Sequence, residues 1–313
     1  MAASKAVTPI KGEFLRGTSS FRNWITKDGS SGFKAESGRY HLYVANNCPW
    51  AHRTKVTRRY KGLEKIISMD TADRWRDVEK GWRFDPSVPG TTADTVNGCT
   101  YLRDIYFLAD PNYSGHFSVP VLWDKEKKTI VNNESSEIIR MLNSEFNEFC
   151  ETDGQRSLDL YPEHLRKDID DLNEWIYPQI NNGVYRAGFA GTQAAYDVAV
   201  REVFEGLDRV EGILSTHRYL TGNTLTEADV RLFTTLVRFD FAYHTKFKCN
   251  KKRIIDYPSM WGYLRDLFQT TGFGDTTNFE HFTQGYYRNR DGETIVPIGP
   301  DIDFYQPHGR QSI

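Results

Sequence analysis

Cys48 is the residue in this chain best placed to do chemistry. It opens the stretch Cys48-Pro49-Trp50-Ala51-His52-Arg53 directly after the apolar run Tyr40–Ala45. That pattern puts a thiol where a strand hands over to a helix. The unpaired N–H groups and positive end of a helix stabilise a thiolate and lower its pKa. Pro49 suits the first helical turn, where its missing N–H is not needed. His52 and Arg53, one turn further on, are expected to add positive charge near the sulfur. Ala51 stands where a Cys-X-X-Cys pair would carry its second cysteine, so a disulfide formed at Cys48 must be resolved by an outside thiol. The bland alternative is a buried inert cysteine, and the strand–Cys-Pro–helix context makes it the weaker reading.

The bulk numbers narrow the class. At 313 residues the chain has room for two domains, each with its own core. Its 40 Lys and Arg balance 42 Asp and Glu, so neither a nucleic-acid nor a membrane partner is expected. The four cysteines, Cys48, Cys99, Cys150 and Cys249, lie far apart, with neither metal-ligand spacing nor disulfide density. A reducing compartment, a cytoplasmic enzyme and no metal are the expectations. No apolar segment approaches the roughly 20 residues of a membrane span, and MAASKAVTPIKG lacks the apolar core of a secretory signal. The 17 Tyr and 7 Trp serve packing or line a pocket for flat ligands.

The elements that must position Cys48 follow from periodicity. Residues 1–37 read as an irregular arm lying over the surface of the fold. A strand at Tyr40–Ala45, a helix at Pro49–Tyr60 and a strand at Lys65–Met69 come next. The polar insertion at about 70–100 carries Trp75, Trp82, Pro86, Pro89 and Gly90, which favours an ordered lid or pocket wall. Tyr101–Leu108 reads as a short helix stopped by Asp110-Pro111. Val119–Trp123 and Thr129–Val131 form a hairpin pair, and Asn133-Glu134-Ser135-Ser136 starts another helix. The order β-α-β-α-β-β-α over 38–150 is the thioredoxin arrangement. From 151 to 280 the apolar residues step by three and four, as in Leu165, Ile169, Leu172, Ile176 and in Val203, Leu207, Val210, Leu214. That predicts an all-α domain. Thr226 and Asp229 cap one of its helices, and another runs near Pro258–Gln269. Residues 281–313 form a C-terminal extension. The predicted fold class is therefore an α/β thioredoxin-like domain followed by an all-α domain.

This order, with Val119-Pro120 before a strand and Glu134-Ser135 at a helix start, resembles the glutathione transferases. Within them the chain is similar to the glutathionyl-hydroquinone reductases, the Xi class related to the Omega class. Asn47-Cys48-Pro49-Trp50-Ala51-His52-Arg53, Gly81-Trp82-Arg83-Phe84, Val119–Asp124, Asn133-Glu134-Ser135, Asn181–Ala190 and Gly285-Tyr286-Tyr287 carry the resemblance, which spans about 10–300. It implies Cys48 as nucleophile and Tyr185 as proton donor, with Tyr243 and Tyr286 around the sulfur. It implies that Trp82 packs on glutathione, that His116, Phe117, Ser118 and Val119 line the peptide, and that Glu134 and Ser135 hold its γ-glutamyl end. A helix N-terminus with a free hydroxyl suits that carboxylate, and an acidic side chain suits its ammonium. The chain departs from relatives in two places. His116 stands where they often carry Arg, which would make carboxylate contact weaker or pH-dependent. The tail reads Tyr286-Tyr287-Arg288-Asn289-Arg290 instead of Tyr-Tyr-Arg-Ser-His.

The implied reaction removes glutathione from a glutathionyl-hydroquinone through a Cys48–glutathione mixed disulfide. A second glutathione then releases glutathione disulfide. Glutathione is thus a co-substrate and no cofactor is bound. An Omega-like thioltransferase or dehydroascorbate reductase is the alternative enzyme, and a non-catalytic ligand-binding relative the alternative of another class. A homodimer is the family expectation. Phe189 and Tyr196 read as helix-packing residues, and the remaining cysteines as structural.

Overall fold

The computed structural model describes residues 11–77, 79–287 and 295–313. Strand β1 (Tyr40–Ala45) is the hub of a four-stranded sheet ordered β2-β1-β5-β6, with β2 at Ser68–Ala72, β5 at Val121–Asp124 and β6 at Thr129–Asn132. It pairs parallel with β2 and antiparallel with β5. All six of its residues are buried, which is why it reads as a continuous run and not an alternation. Helix α1 (Pro49–Tyr60) starts at the end of β1, with Cys48 as its N-cap and Pro49 in its first turn.

The second strand lies three residues later than its apolar pattern suggests. The N–H groups of Ile66 and Ile67 both bond the Leu63 carbonyl. Those residues therefore close a turn, and pairing begins only at Ser68 opposite His41. The insertion that follows is an ordered wall pinned by two buried carboxylates. Asp70 accepts hydrogen bonds from the Thr95 N–H, the Thr95 hydroxyl and the Thr92 hydroxyl. Asp94 accepts from the N–H groups of Val96, Asn97 and Cys99 and from the Tyr43 hydroxyl. Between them stands a two-stranded ribbon, β3 (Arg76–Asp77) and β4 (Gly81–Trp82). Helices α2 (Leu102–Ala109) and α3 (Ser135–Ser144) complete this half.

The second half is helical: α4 (Asp153–Ser157), α5 (Arg166–Ile176), α6 (Gly183–Gly188), α7 (Gln193–Leu214), α8 (Glu227–Arg238), α9 (Pro258–Gln269) and α10 (Phe279–Tyr287). Leu207, Val210, Leu232, Leu236 and Leu264 sit in one apolar cluster, while Leu42, Val44, Leu122, Trp123 and Leu142 sit in another around the sheet. Helix α1 packs on α3 and on α8, so it forms the seam between the two. Two π-helical turns interrupt the bundle, Tyr177–Asn181 before α6 and Phe239–Tyr243 after α8. The first contains Pro178, which has no N–H for the helical ladder and disturbs the turn before it. Residues 295–313 fold back on the bundle. Phe304 stacks on Phe268 at 4.5 Å, and the buried Arg310 donates to the carbonyls of Leu214 and Ser259.

Asp229 is the cap its sequence context suggests. Its carboxylate accepts from the N–H and hydroxyl of Thr226, the N–H of Leu220 and the hydroxyl of Tyr263. All four donors lose their partner if the carboxylate goes, and each buried donor left unsatisfied costs about 1–3 kcal/mol. Asp229→Ala is expected to lower unfolding stability by about 3–5 kcal/mol, read from urea denaturation. A loss below about 1 kcal/mol would show that the four donors find other partners.

Candidate active site

The Cys48 sulfur sits between two backbone groups. Its Sγ accepts from the Ala51 N–H at 3.5 Å and, as a thiol, donates to the Val119 carbonyl at 3.5 Å. Val119 precedes Pro120 through a cis peptide bond. Burial pushes the thiol's pKa up. The Ala51 and Trp50 N–H groups and the guanidinium groups of Arg16 and Arg238 pull it back down. The helix terminus thus acts as its sequence suggests, but burial outweighs it.

His52 does not supply the positive charge expected of it. Its Nδ1 accepts from Arg238 at 2.9 Å, which leaves Nε2–H to donate to the Thr276 hydroxyl at 3.0 Å. Burial, reinforced by Arg238 and Lys55, holds its pKa well below the ordinary value. The nearby cation is Arg238 itself, at the end of α8, fully buried and also bonded to the carbonyls of Asn46 and Thr234. Arg53 turns away toward α3 and the first π-turn, donating to the Ser135 hydroxyl at 3.3 Å and to Asn181 at 3.1 Å.

Glu134 and Ser135 stand at the N-terminus of α3. Glu134 accepts from the N–H and hydroxyl of Ser136 and from the hydroxyl of Ser19. Burial works to raise its pKa, but these bonds and the Arg53 charge bring it below the usual carboxylate range. Phe117 packs edge-on against Tyr106 at 5.5 Å, and the Tyr106 hydroxyl donates to the Ser118 carbonyl at 2.8 Å. That contact fixes the loop leading to Val119. His116 is exposed on the same loop, against Gly17 of the arm. Trp82 is buried on the ribbon.

The three tyrosines come together. The Tyr286 hydroxyl lies 2.6 Å from that of Tyr185 and 2.9 Å from that of Tyr243. Tyr185 follows the first π-turn and Tyr243 ends the second, while Tyr286 arrives on α10. Gly285 lets α10 come this close, because a Cβ there would lie 2.7 Å from Asn47 Nδ2 and 2.9 Å from the Arg74 carbonyl. Burial pushes all three phenols above their ordinary pKa. They therefore hold three protons but need only two for their mutual bonds, which leaves one to donate outward. Phe189 is about half exposed and flanks Tyr185 at 6.0 Å and Phe247 at 5.1 Å, so it belongs to this aromatic rim and not to helix packing. Tyr196 is a packing residue as expected, its hydroxyl on the Lys248 carbonyl. The tail positions 288–290 lie outside the described residues.

The arm contributes groups that sequence reading passes over. Arg16 lays its guanidinium on Trp50, 3.5 Å from the ring centroid, and bonds Asn182. Ser19 reaches Glu134. Nothing in the aperiodic arm announces these contacts. Arg238 had a signal, since it falls one turn after Thr234 on the buried face of an amphipathic helix.

Two family models cover most of this architecture: the glutathione S-transferase N-terminal domain matches residues 47–145, and the glutathione S-transferase C-terminal domain matches 193–266. Glutathionyl-hydroquinone reductase YqjG of Escherichia coli is 52% identical over 96% of this chain and 92% of its own. Its glutathione-bound structure superposes with a TM-score of 0.88. A Xi class transferase from Natrialba magadii gives a TM-score of 0.90 at 49% identity, over 94% of this chain and 89% of its own. The chain belongs to the glutathione transferases, in their Xi class. Glutathionyl-hydroquinone reductase PcpF of Sphingobium chlorophenolicum is 44% identical over 92% of this transferase and 90% of its own length. Among the described residues no helix is long and apolar enough to cross a membrane.

The transferase ties α10 to the insertion through a buried histidine. His281 Nδ1 accepts from Asn46 Nδ2 at 3.2 Å, and its Nε2–H donates to the Pro89 carbonyl at 2.7 Å. Asn46 cannot turn its oxygen toward His281, because Lys55 Nζ holds that oxygen at 2.5 Å. Burial lowers the His281 pKa, with Arg74 acting in the same sense and the Pro89 carbonyl, Glu280 and Asp73 against it. A histidine whose folded pKa is lowered takes up its proton more readily in the unfolded chain. Its contribution is therefore complete above about pH 6.5 and is lost as pH falls through the folded value. The urea midpoint should drop between pH 7 and pH 5.5, and less steeply in His281→Gln. Equal slopes in the two proteins would rule out this anchor as the acid-sensitive one.

Proposed function

We propose that this transferase is a glutathione-dependent reductase of glutathionyl-hydroquinones. The observation that carries the reading is the pairing of one resolvable thiol, Cys48, with a shared tyrosine hydroxyl chain. Cys48 attacks the glutathionyl sulfur as a thiolate. A sulfur–sulfur bond forms, the carbon–sulfur bond breaks, and the ring carbon takes a proton. The electron-rich hydroquinone ring accepts that proton through its keto tautomer, and Tyr185 gives it. Tyr286 and Tyr243 share the charge left on Tyr185 through their hydroxyl chain, and the thiol proton of the second glutathione restores it. Burial keeps these phenols protonated at neutral pH, which suits an acid and not a base.

A second glutathione then attacks the Cys48 mixed disulfide, leaving glutathione disulfide and free Cys48. The balance is one conjugate and one glutathione in, one hydroquinone and one glutathione disulfide out. Ala51 provides no internal thiol to intercept the intermediate. Glutathione lies with its γ-glutamyl end on Ser135 and the α3 terminus, its ammonium near Glu134, and its cysteinyl unit along Val119. Trp82 packs on it and His116, Phe117 and Ser118 flank the peptide. The ionised Glu134 already offers this charge complement.

Product analysis of glutathionyl-menadiol with glutathione tests the reading. The wild type should release menadiol and glutathione disulfide in equal amounts. Cys48→Ala should release neither above background, and intact-mass analysis should show a glutathionyl adduct on the wild type alone. Turnover of disulfide substrates without cleavage of the carbon–sulfur bond would make it a thioltransferase instead. The transferase further assembles as a homodimer in this proposal, supported by the exposed Ile295, Ile298 and Tyr305 on the C-terminal segment. Light scattering should give twice the chain mass, and a monomer at micromolar concentration would end the idea.

A further inference from the structure

The arm sets a cation, Arg16, over the Trp50–Tyr185 pair with terminal N–H groups that no described residue takes. The Arg16 guanidinium carbon lies 3.5 Å from the Trp50 ring centroid and 5.1 Å from that of Tyr185. Trp50 and Tyr185 themselves are 4.8 Å apart. The Arg16 Nε donates to Asn182 at 3.1 Å. The side chain is thus held on both its face and its inner edge.

The arm on either side is held as well. The Gly12 carbonyl accepts from the Gly191 N–H at 2.8 Å, Phe14 packs on Phe189 at 5.3 Å, and Ser19 bonds Glu134. Among the described residues, Arg16 makes no ion pair. The nearby acid of the arm, Glu13, pairs with Arg186 instead. The residue is exposed, and Nε to Asn182 is its single hydrogen bond among the described residues. A guanidinium stacked on an aromatic face with its terminal N–H groups unspent is arranged to receive a carboxylate by two parallel bonds.

The position says which carboxylate. The γ-glutamyl end of glutathione is assigned to the α3 terminus, on the sheet side of the cleft. Arg16 stands on the helical side, over the Trp50–Tyr185 pair where the aromatic ring is protonated. We propose that Arg16 selects hydroquinone conjugates whose ring carries an ionised carboxylate. This inference rests on the reductase reading and names its substrate class. The conjugate enters with its ring against Trp50, Tyr185 and Phe189, and its ring carboxylate bridges the two Arg16 terminal nitrogens.

The test compares kcat/KM for two probes, glutathionyl-menadiol with a neutral ring and the glutathione conjugate of 2,5-dihydroxybenzoate. The wild type should prefer the carboxylated probe. Arg16→Gln should lower that preference by about 10- to 100-fold, the range of a hydrogen-bonded charge. Arg16→Lys should keep part of it, because it keeps the charge but not the fork. An unchanged ratio in Arg16→Gln overturns the proposal. That includes a fall in both rates alike, which together with slower alkylation of Cys48 would mean that Arg16 acts through the sulfur. If the wild type releases hydroquinone from neither probe, the reductase reading itself has failed and takes the proposal with it. Release from menadiol alone overturns only the proposal.

Discussion

Helix α1 carries three basic side chains into the seam between sheet and bundle, and the geometry at the sulfur depends on how they are satisfied. Lys55 is buried and has its pKa brought down to about 7 by that burial and by Arg238. His52 stays neutral by accepting from Arg238. Arg53 is spent on Ser135 and Asn181. Removing one partner from such a buried set leaves a polar group unsatisfied, which costs more than the bond is worth when made. The seam therefore has one low-energy register. It is that register which brings Val119, α3 and α8 to fixed places around Cys48.

The tyrosine chain is the second consequence. Tyr185 and Tyr243 belong to helices that would each pass the cleft at a regular pitch. A π-turn beside each changes the pitch locally, a device often found where a helix must aim a side chain. Asn181, within the first π-turn, is also the residue that holds Arg53 and the Thr235 hydroxyl. The distortion that aims Tyr185 is thus tied to the same buried cations that set the seam. The third hydroxyl comes from α10, anchored through His281 to Asn46 and through Gly285 to Asn47. The Tyr286 hydroxyl and the Cys48 sulfur are positioned by neighbouring residues of one loop, Asn46 to Cys48.

Much of this was legible in the residues. Strand β1 and helix α1 were, because a buried apolar run and a Cys-Pro cap are local signals. The Thr226–Asp229 cap was legible for the same reason. Cys48 was legible from its strand–Cys-Pro–helix context, whereas the roles proposed for Tyr185, Tyr243, Tyr286, Glu134 and Ser135 were readable only through the resemblance. No spacing rule unites hydroxyls carried by three separate helices. Strand β2 was misplaced by three residues because hydrogen bonds to Leu63, invisible in the pattern, consume the N–H groups of Ile66 and Ile67. The ribbon at Arg76–Trp82 is too short to show alternation. His52 looked like a positive charge because its ordinary pKa lies near neutrality, and only the burial and the facing Arg238 remove that charge. Arg16 was unreadable, since its arm has no period and its partners lie on α1 and beside α6.

Burial of Cys48 looks at first like a defect in a nucleophile, since it favours the thiol. The local arrangement makes it a condition on when the sulfur becomes reactive. The thiol proton is held by the Val119 carbonyl at 3.5 Å, a weak bond to the group proposed to receive the glutathione peptide. Four stabilisers of the thiolate are already present: two N–H groups of α1 and the guanidinium groups of Arg16 and Arg238. In the proposed pose the glutathione peptide takes the Val119 carbonyl, which removes the partner of the neutral thiol and favours the thiolate. The same burial keeps the sulfur mainly a thiol, and oxidation of a thiol follows its thiolate character and access. On that reading the reactivity of Cys48 is coupled to the binding of its own co-substrate.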